Sequence, residues 1–458
     1  MDVRAVLGRL EDEFESLLDE LAGFLRIPSV SSDPARTADV ERCAAWVASA
    51  LEDAGFRTAV EPTGGHPVVV AEWRGAPGAP TVLVYGHYDV QPADPADGWT
   101  GPPFEPRVVQ GKIVARGATD DKGQLFCHLA AARAWLRVHG RLPLNAVFLV
   151  EGEEESGSDH LEPFIRGNRE RLAASAVVVS DSSRFAPGVP AVTYGLRGLV
   201  YLEVTVRGPG RDLHSGSFGG VAPNPANALA RILAGLHDDQ GRVAVPGFYD
   251  RVRPLEPWER EAFGRLPFDE ASLRRDLGVD ALPGEAGYSA LERLWARPTL
   301  DVNGLVAGHT GPGAKTVIPA VARAKVSCRL VPDQDPEEVA RAVEARIREL
   351  VPPGCRVEVE RLHGARPVLT PADGPAVRAA LEALRRGFGA EPVLIREGGT
   401  IPVVEVFQRL LGAPVVLVGF GRPDDRAHGP DERFHLADLK AGMRTSAWLW
   451  SLMAEELG

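Results

Sequence analysis

The sequence predicts an α/β protein: a mixed, largely parallel sheet with helices on both faces, interrupted by an inserted α+β unit. Two observations carry this. Across the first 195 residues, short apolar runs alternate with helical patterns, as buried parallel strands joined by crossover helices require. Near residue 198 that alternation gives way to strands of period two, and it resumes after about residue 365. A chain of 458 residues is also too long for one ordinary core. The expected domains are therefore 1–197 with 363–458, and an insert at 198–362.

The elements follow in order. The opening stretch MDVRAVLGRLEDEFESLLDELAGFL carries acids every few residues, so it reads as an amphipathic surface helix and not as a signal peptide. Strands are expected at 67–72, 81–85, 144–150 and 176–180. Between the second and third lies GQLFCHLAAARAWLRVHG, a helix closed by Gly140. In the insert, LVYLEVTV at 199–206 alternates as a half-solvated strand does. A helix follows, with Asn224 as its N-cap and Pro225 at its first position. A strand near 317–331 leads to a helix started by Asp335, Pro336 and Glu338, and CRVEVERL closes the set. Residues 246–300, rich in Pro, Trp and Arg, receive no assigned element. Beyond the insert come a helix at 376–388, the strands PVLI and APVVLVGFG, and a final helix at 436–456.

Composition narrows the function classes. Hydrophobic residues make up 44% and charged residues 25%, the balance of a soluble globular protein. The net charge is −12 with the basic residues dispersed, which argues against a nucleic-acid surface. No apolar run reaches membrane-spanning length, so a cytoplasmic protein without a membrane partner is expected. Cys43, Cys127, Cys328 and Cys355 lie far apart with no CxxC pair, as small buried hydrophobes do.

The chemistry shows at the strand ends. The run 81–85 stops at Gly86-His87-Tyr88-Asp89, LNAVFLV at Glu151-Gly-Glu153-Glu154-Glu155, and SAVVV at Ser180-Asp181. The loop RGATDDKG sets Asp120 and Asp121 just before a helix. Carboxyl ends of strands in an open α/β sheet form the ligand crevice. Carboxylates gathered there repel and raise one another's pKa, and a cation relieves this. Mixed histidine and carboxylate donors suit Zn²⁺ or Mn²⁺ better than Ca²⁺ or Mg²⁺. Residues i and i+2 of a strand share a face, so Asp89 can support the outer nitrogen of a metal-binding His87.

Taken together, GHYDVQP, ARGATDDKGQ, EGEEESGS, SDSS, RDLHSGSFGG, GAKTVIP, CRLVPDQDP, REGGTIP and AHGPDE resemble the M20 family of metallopeptidases. The likeness is closest to its cytosolic dipeptidase and carnosinase-like branch, and covers about residues 80–432 in the family's order. It implies a catalytic domain carrying two divalent metal ions per subunit, Zn²⁺ first and Mn²⁺ or Co²⁺ as alternatives. His87 and Asp181 would bind one ion, Glu155 and His428 the other, with Asp120 bridging. Glu154 would be the general base and Asp89 the support for His87. His435 is a weaker rival to His428. A cis peptide is implied between Asp120 and Asp121.

The insert would be a ferredoxin-like lid through which the protein forms a homodimer, with His214 reaching the partner's active site to stabilise the oxyanion. Arg329, Thr316, Gly399 and Thr400 would hold the substrate's free carboxylate, Arg through its fork, and His363 aligns with a substrate-side histidine. Thr400 stands where dipeptidase relatives often carry Ser. The expected activity is hydrolysis of dipeptides or short peptides. Hydrolysis of N-acyl amino acids or other small amides on the same scaffold is the alternative, and a non-catalytic binding protein the remote one.

Overall fold

The apolar runs become neighbouring parallel strands in the computed structural model, which describes residues 1–458. Thr81–His87 lies between Asn145–Glu151 and Ala176–Val179, and Val415–Val418 adds in parallel beyond the latter. Residues 146–150 and 176–179 are all 0% exposed. That double-sided burial is why these segments read as unbroken apolar runs and not as alternating ones. Antiparallel strands flank these: Val68–Trp73 and Arg57–Glu61 on one side, and on the other Ala191–Leu196, with which Val368–Leu369 and Val393–Glu397 also pair.

Helix Lys122–His139 is buried along most of its length and ends at Gly140, whose φ of 67° suits a residue without a side chain. Helix Leu436–Leu457 packs against it and against Pro375–Phe388. The opening stretch departs from the single helix expected. It forms two, Val3–Asp12 and Phe14–Leu25, broken at Glu13. Val3, Val6 and Leu10 face the core in the first, and Leu17, Leu21 and Phe24 in the second. The buried positions keep the i+3/i+4 spacing across the break, so both helices present one apolar stripe to that core.

Backbone contacts divide the chain into two compact units, 1–194 with 370–395 and 406–458, and 195–369 with 396–405. The second unit has a four-stranded antiparallel sheet in the order Thr299–Ala307, Val321–Leu330, Gly198–Arg207, Arg356–Ala365. With helices Pro225–Ala234 and Pro336–Glu349, the chain order is βαββαβ, the ferredoxin-like arrangement. Val200, Leu202, Val204 and Val206 are its buried face. Asn224 accepts from the N–H of Ala226, and Asp335 from those of Glu337 and Glu338, so both helices start where the capping residues stand.

Residues 246–300 contribute helices Pro257–Arg265, Glu270–Leu277 and Ala290–Ala296. Glu259 of the first pairs with Arg396 in a buried contact. That pair holds 396–405 in the second unit, a segment the sequence pattern had assigned to 363–458. Cys43, Cys127 and Cys328 are buried and Cys355 half-buried, all as free thiols. No helix is long and apolar enough to cross a membrane.

Candidate metal centre and active site

The strand ends converge. His87 closes Thr81–His87, Glu154 and Glu155 follow Asn145–Glu151, Asp181 follows Ala176–Val179, and Asp120 precedes helix Lys122–His139. Asp120 stands at the centre: its Oδ1 lies 3.1 Å from Nε2 of His87 and its Oδ2 2.9 Å from Nε2 of His428. Asp181 Oδ1 is 3.9 Å from the same His87 nitrogen, and Glu155 Oε2 is 3.3 Å from that of His428. The structure thus brings together two donor groups, His87 with Asp120 and Asp181, and Asp120 with Glu155 and His428; within each, the donor atoms lie within 4.8 Å of one another. The peptide between Asp120 and Asp121 is cis. His435 lies elsewhere, at the N-terminus of the last helix and 3.7 Å from Asp425.

Burial and mutual repulsion set the electrostatics. Desolvation first, then the neighbouring carboxylates, push Glu154 up to about 9, Glu155 to about 7 and Asp181 to about 6. Burial also works to raise Asp120, yet hydrogen bonds from His428 and His87 hold it below the usual carboxylate range. Desolvation opposes the charge on His87, but Asp120 and Asp89 carry its pKa well above normal. Asp121 is buried with Oδ1 unpartnered. So many acids around two histidines form a site short of positive charge, and the donor set fits divalent cations that accept both nitrogen and oxygen.

Asp89 does more than expected. One of its oxygens lies 3.3 Å from Nδ1 of His87, and its backbone oxygen 3.1 Å from the same nitrogen. The carboxylate also accepts the N–H of Glu154 at 3.3 Å and of Glu155 at 3.0 Å. The turn Glu154–Ser156 ends at Gly157, where φ is 111° and a side chain would be strained.

The remaining sequence-predicted residues lie in the second unit. His214 accepts the N–H of Gly216 on Nδ1 at 3.0 Å, which leaves the proton on Nε2, 3.3 Å from Oγ1 of Thr316. Arg329 donates to Oγ1 of Thr400 at 2.9 Å, and that hydroxyl donates to the backbone oxygen of Arg197 at 2.6 Å. Gly399 is exposed beside them. His363 is exposed on Arg356–Ala365, its ring 6.5 Å from that of Tyr201.

The description "Peptidase family M20/M25/M40" matches residues 83–451. The chain belongs to this family. It is 33% identical to the Cys-Gly metallodipeptidase dug1 of Schizosaccharomyces pombe over 455 residues, 96% of this chain and 95% of that protein. Among solved structures, human carnosine dipeptidase 1 is 32% identical with a TM-score of 0.83, covering 99% of both chains. The M20 family metallo-carboxypeptidase Sso-CP2 of Sulfolobus solfataricus is 34% identical with a TM-score of 0.86, covering 96% of this chain and 99% of that one.

Several M20 site neighbours escaped the sequence reading. Gln91, two residues past Asp89 in GHYDVQP, donates to Glu155 at 2.7 Å. Glu432, at the end of AHGPDE, is fully buried beneath the Asp120 loop. Arg197 is 9% exposed, and its guanidinium donates to the backbone oxygens of Gly398 and Arg297. Desolvation, and then Arg329 nearby, lower its pKa to about 10. Position was the one available signal for Gln91 and Glu432, which lie within motif stretches, and Arg197 had none.

Proposed function

We propose that the protein hydrolyses the peptide bond of dipeptides or short peptides with a free carboxylate. One observation carries the reading: two histidine–carboxylate groups share Asp120, with Glu154 on the turn that supplies Glu155. His87 and Asp181 would hold one divalent cation, Glu155 and His428 the other, and Asp120 both. Zn²⁺ is the first candidate and Mn²⁺ or Co²⁺ the alternatives. When bound, such cations acidify water and polarise a carbonyl.

The chain's own residues handle the proton. Glu154, ionised once cations offset the burial and the neighbouring carboxylates that raise its pKa, takes a proton from the attacking water as the water's oxygen bonds to the carbonyl carbon. As the carbon–nitrogen bond breaks, it delivers that proton to the leaving amine. Asp89 keeps His87 and the Glu154 turn in place. Arg329, steadied by Thr400, is assigned the substrate carboxylate, with Gly399, Thr316 and His363 beside it. Arg197 adds a second guanidinium. Both arginines line one cavity of about 710 Å³ in the second unit, together with Arg293 and Arg297. Fixed cationic forks of this kind suit a carboxylate.

We assign homodimerisation to the edge strand Thr299–Ala307. Val302, Leu305 and Val306 on it are 44%, 59% and 63% exposed, whereas the opposite edge, Arg356–Ala365, is studded with Arg and Glu. An unguarded apolar edge invites a second strand. His214 would then serve the oxyanion of the partner's site.

The deciding experiment is hydrolysis of free dipeptides, tripeptides and N-acetyl amino acids by metal-stripped protein resupplied with Mn²⁺ or Zn²⁺. Metal-dependent cleavage of the dipeptides is expected. Cleavage of the N-acetyl compounds alone would move the protein to the deacylases.

A further inference from the structure

We propose that Glu432 is a positioning residue for the metal centre, joining the loop of Asp120 to the loop of His428 through Arg116. The sequence presents it as an acid four residues past His428 in a polar loop, where a solvated side chain is the ordinary outcome. Instead it is 0% exposed. Its Oε1 accepts the N–H of Thr119 at 2.9 Å and of Asp120 at 3.1 Å. Its Oε2 accepts the N–H of Gly117 at 3.0 Å and Nη1 of Arg116 at 2.8 Å. The backbone of the Asp120 loop thus ends its hydrogen bonds on one carboxylate, with the adjoining arginine as counter-charge.

Arg116 extends the link. Its Nη2 donates to the backbone oxygen of His428 at 3.2 Å and of Pro92 at 3.3 Å. His428 needs such a hold, because its φ of 61° is in the left-handed region, which side-chain-bearing residues leave unless their surroundings fix them. Asp431, next to Glu432, has φ 55° and is tied by Thr100, whose N–H and hydroxyl donate to it at 2.9 and 2.8 Å. Two donor-bearing loops more than 300 residues apart in sequence are thereby registered by one ion pair. Groups behind metal ligands set ligand orientation, and their loss costs ~10- to 100-fold in metal affinity or activity.

The inference rests on reading Asp120 and His428 as metal donors, so its test reads metal directly. Full-length wild type, Glu432→Gln and Arg116→Lys would be titrated with Co²⁺ and Zn²⁺. Co²⁺ absorption, thermal midpoint, and kcat and KM on a cleaved dipeptide would be recorded alongside. An amide at 432 presents N–H₂ to N–H donors. E432Q should therefore bind metal ~10- to 100-fold more weakly, with a changed Co²⁺ spectrum and a lower kcat at nearly constant KM. R116K leaves the three backbone bonds of Glu432 intact and releases the backbone oxygens of His428 and Pro92, so it should weaken the metal equivalent held by His428 more than the other. Unchanged metal affinity and spectrum in E432Q, with only a lower thermal midpoint, would reduce Glu432 to a structural acid. Should E432Q not fold, R116K decides: wild-type affinities for both equivalents overturn the proposal. Wild-type protein that binds metal but cleaves no peptide would count against the proposed function while leaving this result standing.

Discussion

The carboxylate of Asp89 accepts the backbone N–H of Glu155 at 3.0 Å while lying 3.3 Å from Nδ1 of His87. One side chain thus steadies residues from both donor groups. Asp89→Asn keeps the size but swaps one acceptor for a donor. We expect a loss of ~10- to 100-fold in metal affinity, activity or both, read by metal titration and steady-state kinetics. Full affinity and rate would show that the carboxylate is dispensable.

Glu154 carries the proton in the proposed reaction and lies outside both donor groups. Glu154→Gln should retain wild-type metal content while kcat falls by ~10²- to 10⁴-fold, the usual scale of general acid–base catalysis. Metal analysis beside the assay separates a lost base from a lost ligand. A variant of near-normal rate would refute the assignment.

Arg329 offers its fork where the carboxylate is assigned. Arg329→Lys retains the charge but not the planar pair of donors. KM for a free dipeptide should rise about tenfold or more with a smaller change in kcat, the pattern of lost ground-state binding. An unchanged KM would place the carboxylate elsewhere.

His128, hydrogen-bonded to the residue that precedes Asp181, supplies a pH dependence of stability. It is 1% exposed, bonded to Ser180 at 2.7 Å and Ser446 at 3.1 Å, and burial lowers its pKa to about 3. The unfolded chain takes up a proton near pH 6.5, whereas the folded protein does so only near 3. The neutral ring's stability is therefore fully present above about pH 6.5. It declines as pH falls towards 3, by at most ~1.4 kcal/mol per unit. Denaturant midpoints of wild type and His128→Gln, compared between pH 7 and 5, should show a shallower acid decline in the variant. Parallel curves would exclude the effect.

Leu305 stands on the exposed edge strand. Leu305→Lys places a charge where a second copy would pair, so light scattering should find the wild type dimeric and the variant shifted to monomer. A wild type monomeric at micromolar concentration would remove both the interface and the action of His214 across subunits.

The fold was legible because physics wrote it in periods. Buried strands gave apolar runs, the insert gave alternation, and Asn224, Pro225, Asp335 and Gly140 marked helix ends by chemistry each needs locally. The break at Glu13 was not legible, since an amphipathic stripe reads the same through a bend. Nor were the helices of 246–300, whose anchoring depends on Glu259 meeting Arg396, far away in sequence. In the site, the motif separated Glu154 and Glu155 from their neighbours, and the structure supplies a reason. Glu151 is held by Tyr85 at 2.6 Å and Ser158 at 2.9 Å, with burial raising its pKa to about 8, while Glu153 is taken by His160 and the N–H of His66. Glu432 and Arg197 stayed hidden because burial makes them informative, and burial of a lone charged residue leaves no period.

The ion pair between Arg116 and Glu432 also bears on biosynthesis. A chain made only as far as residue 427 already carries His87, Asp120, Glu155 and Asp181, yet lacks His428 and the acid on which the Asp120 loop is hung. Such a chain holds the donors of one group, His87 with Asp120 and Asp181, and completes the second only when His428 and Glu432 are added.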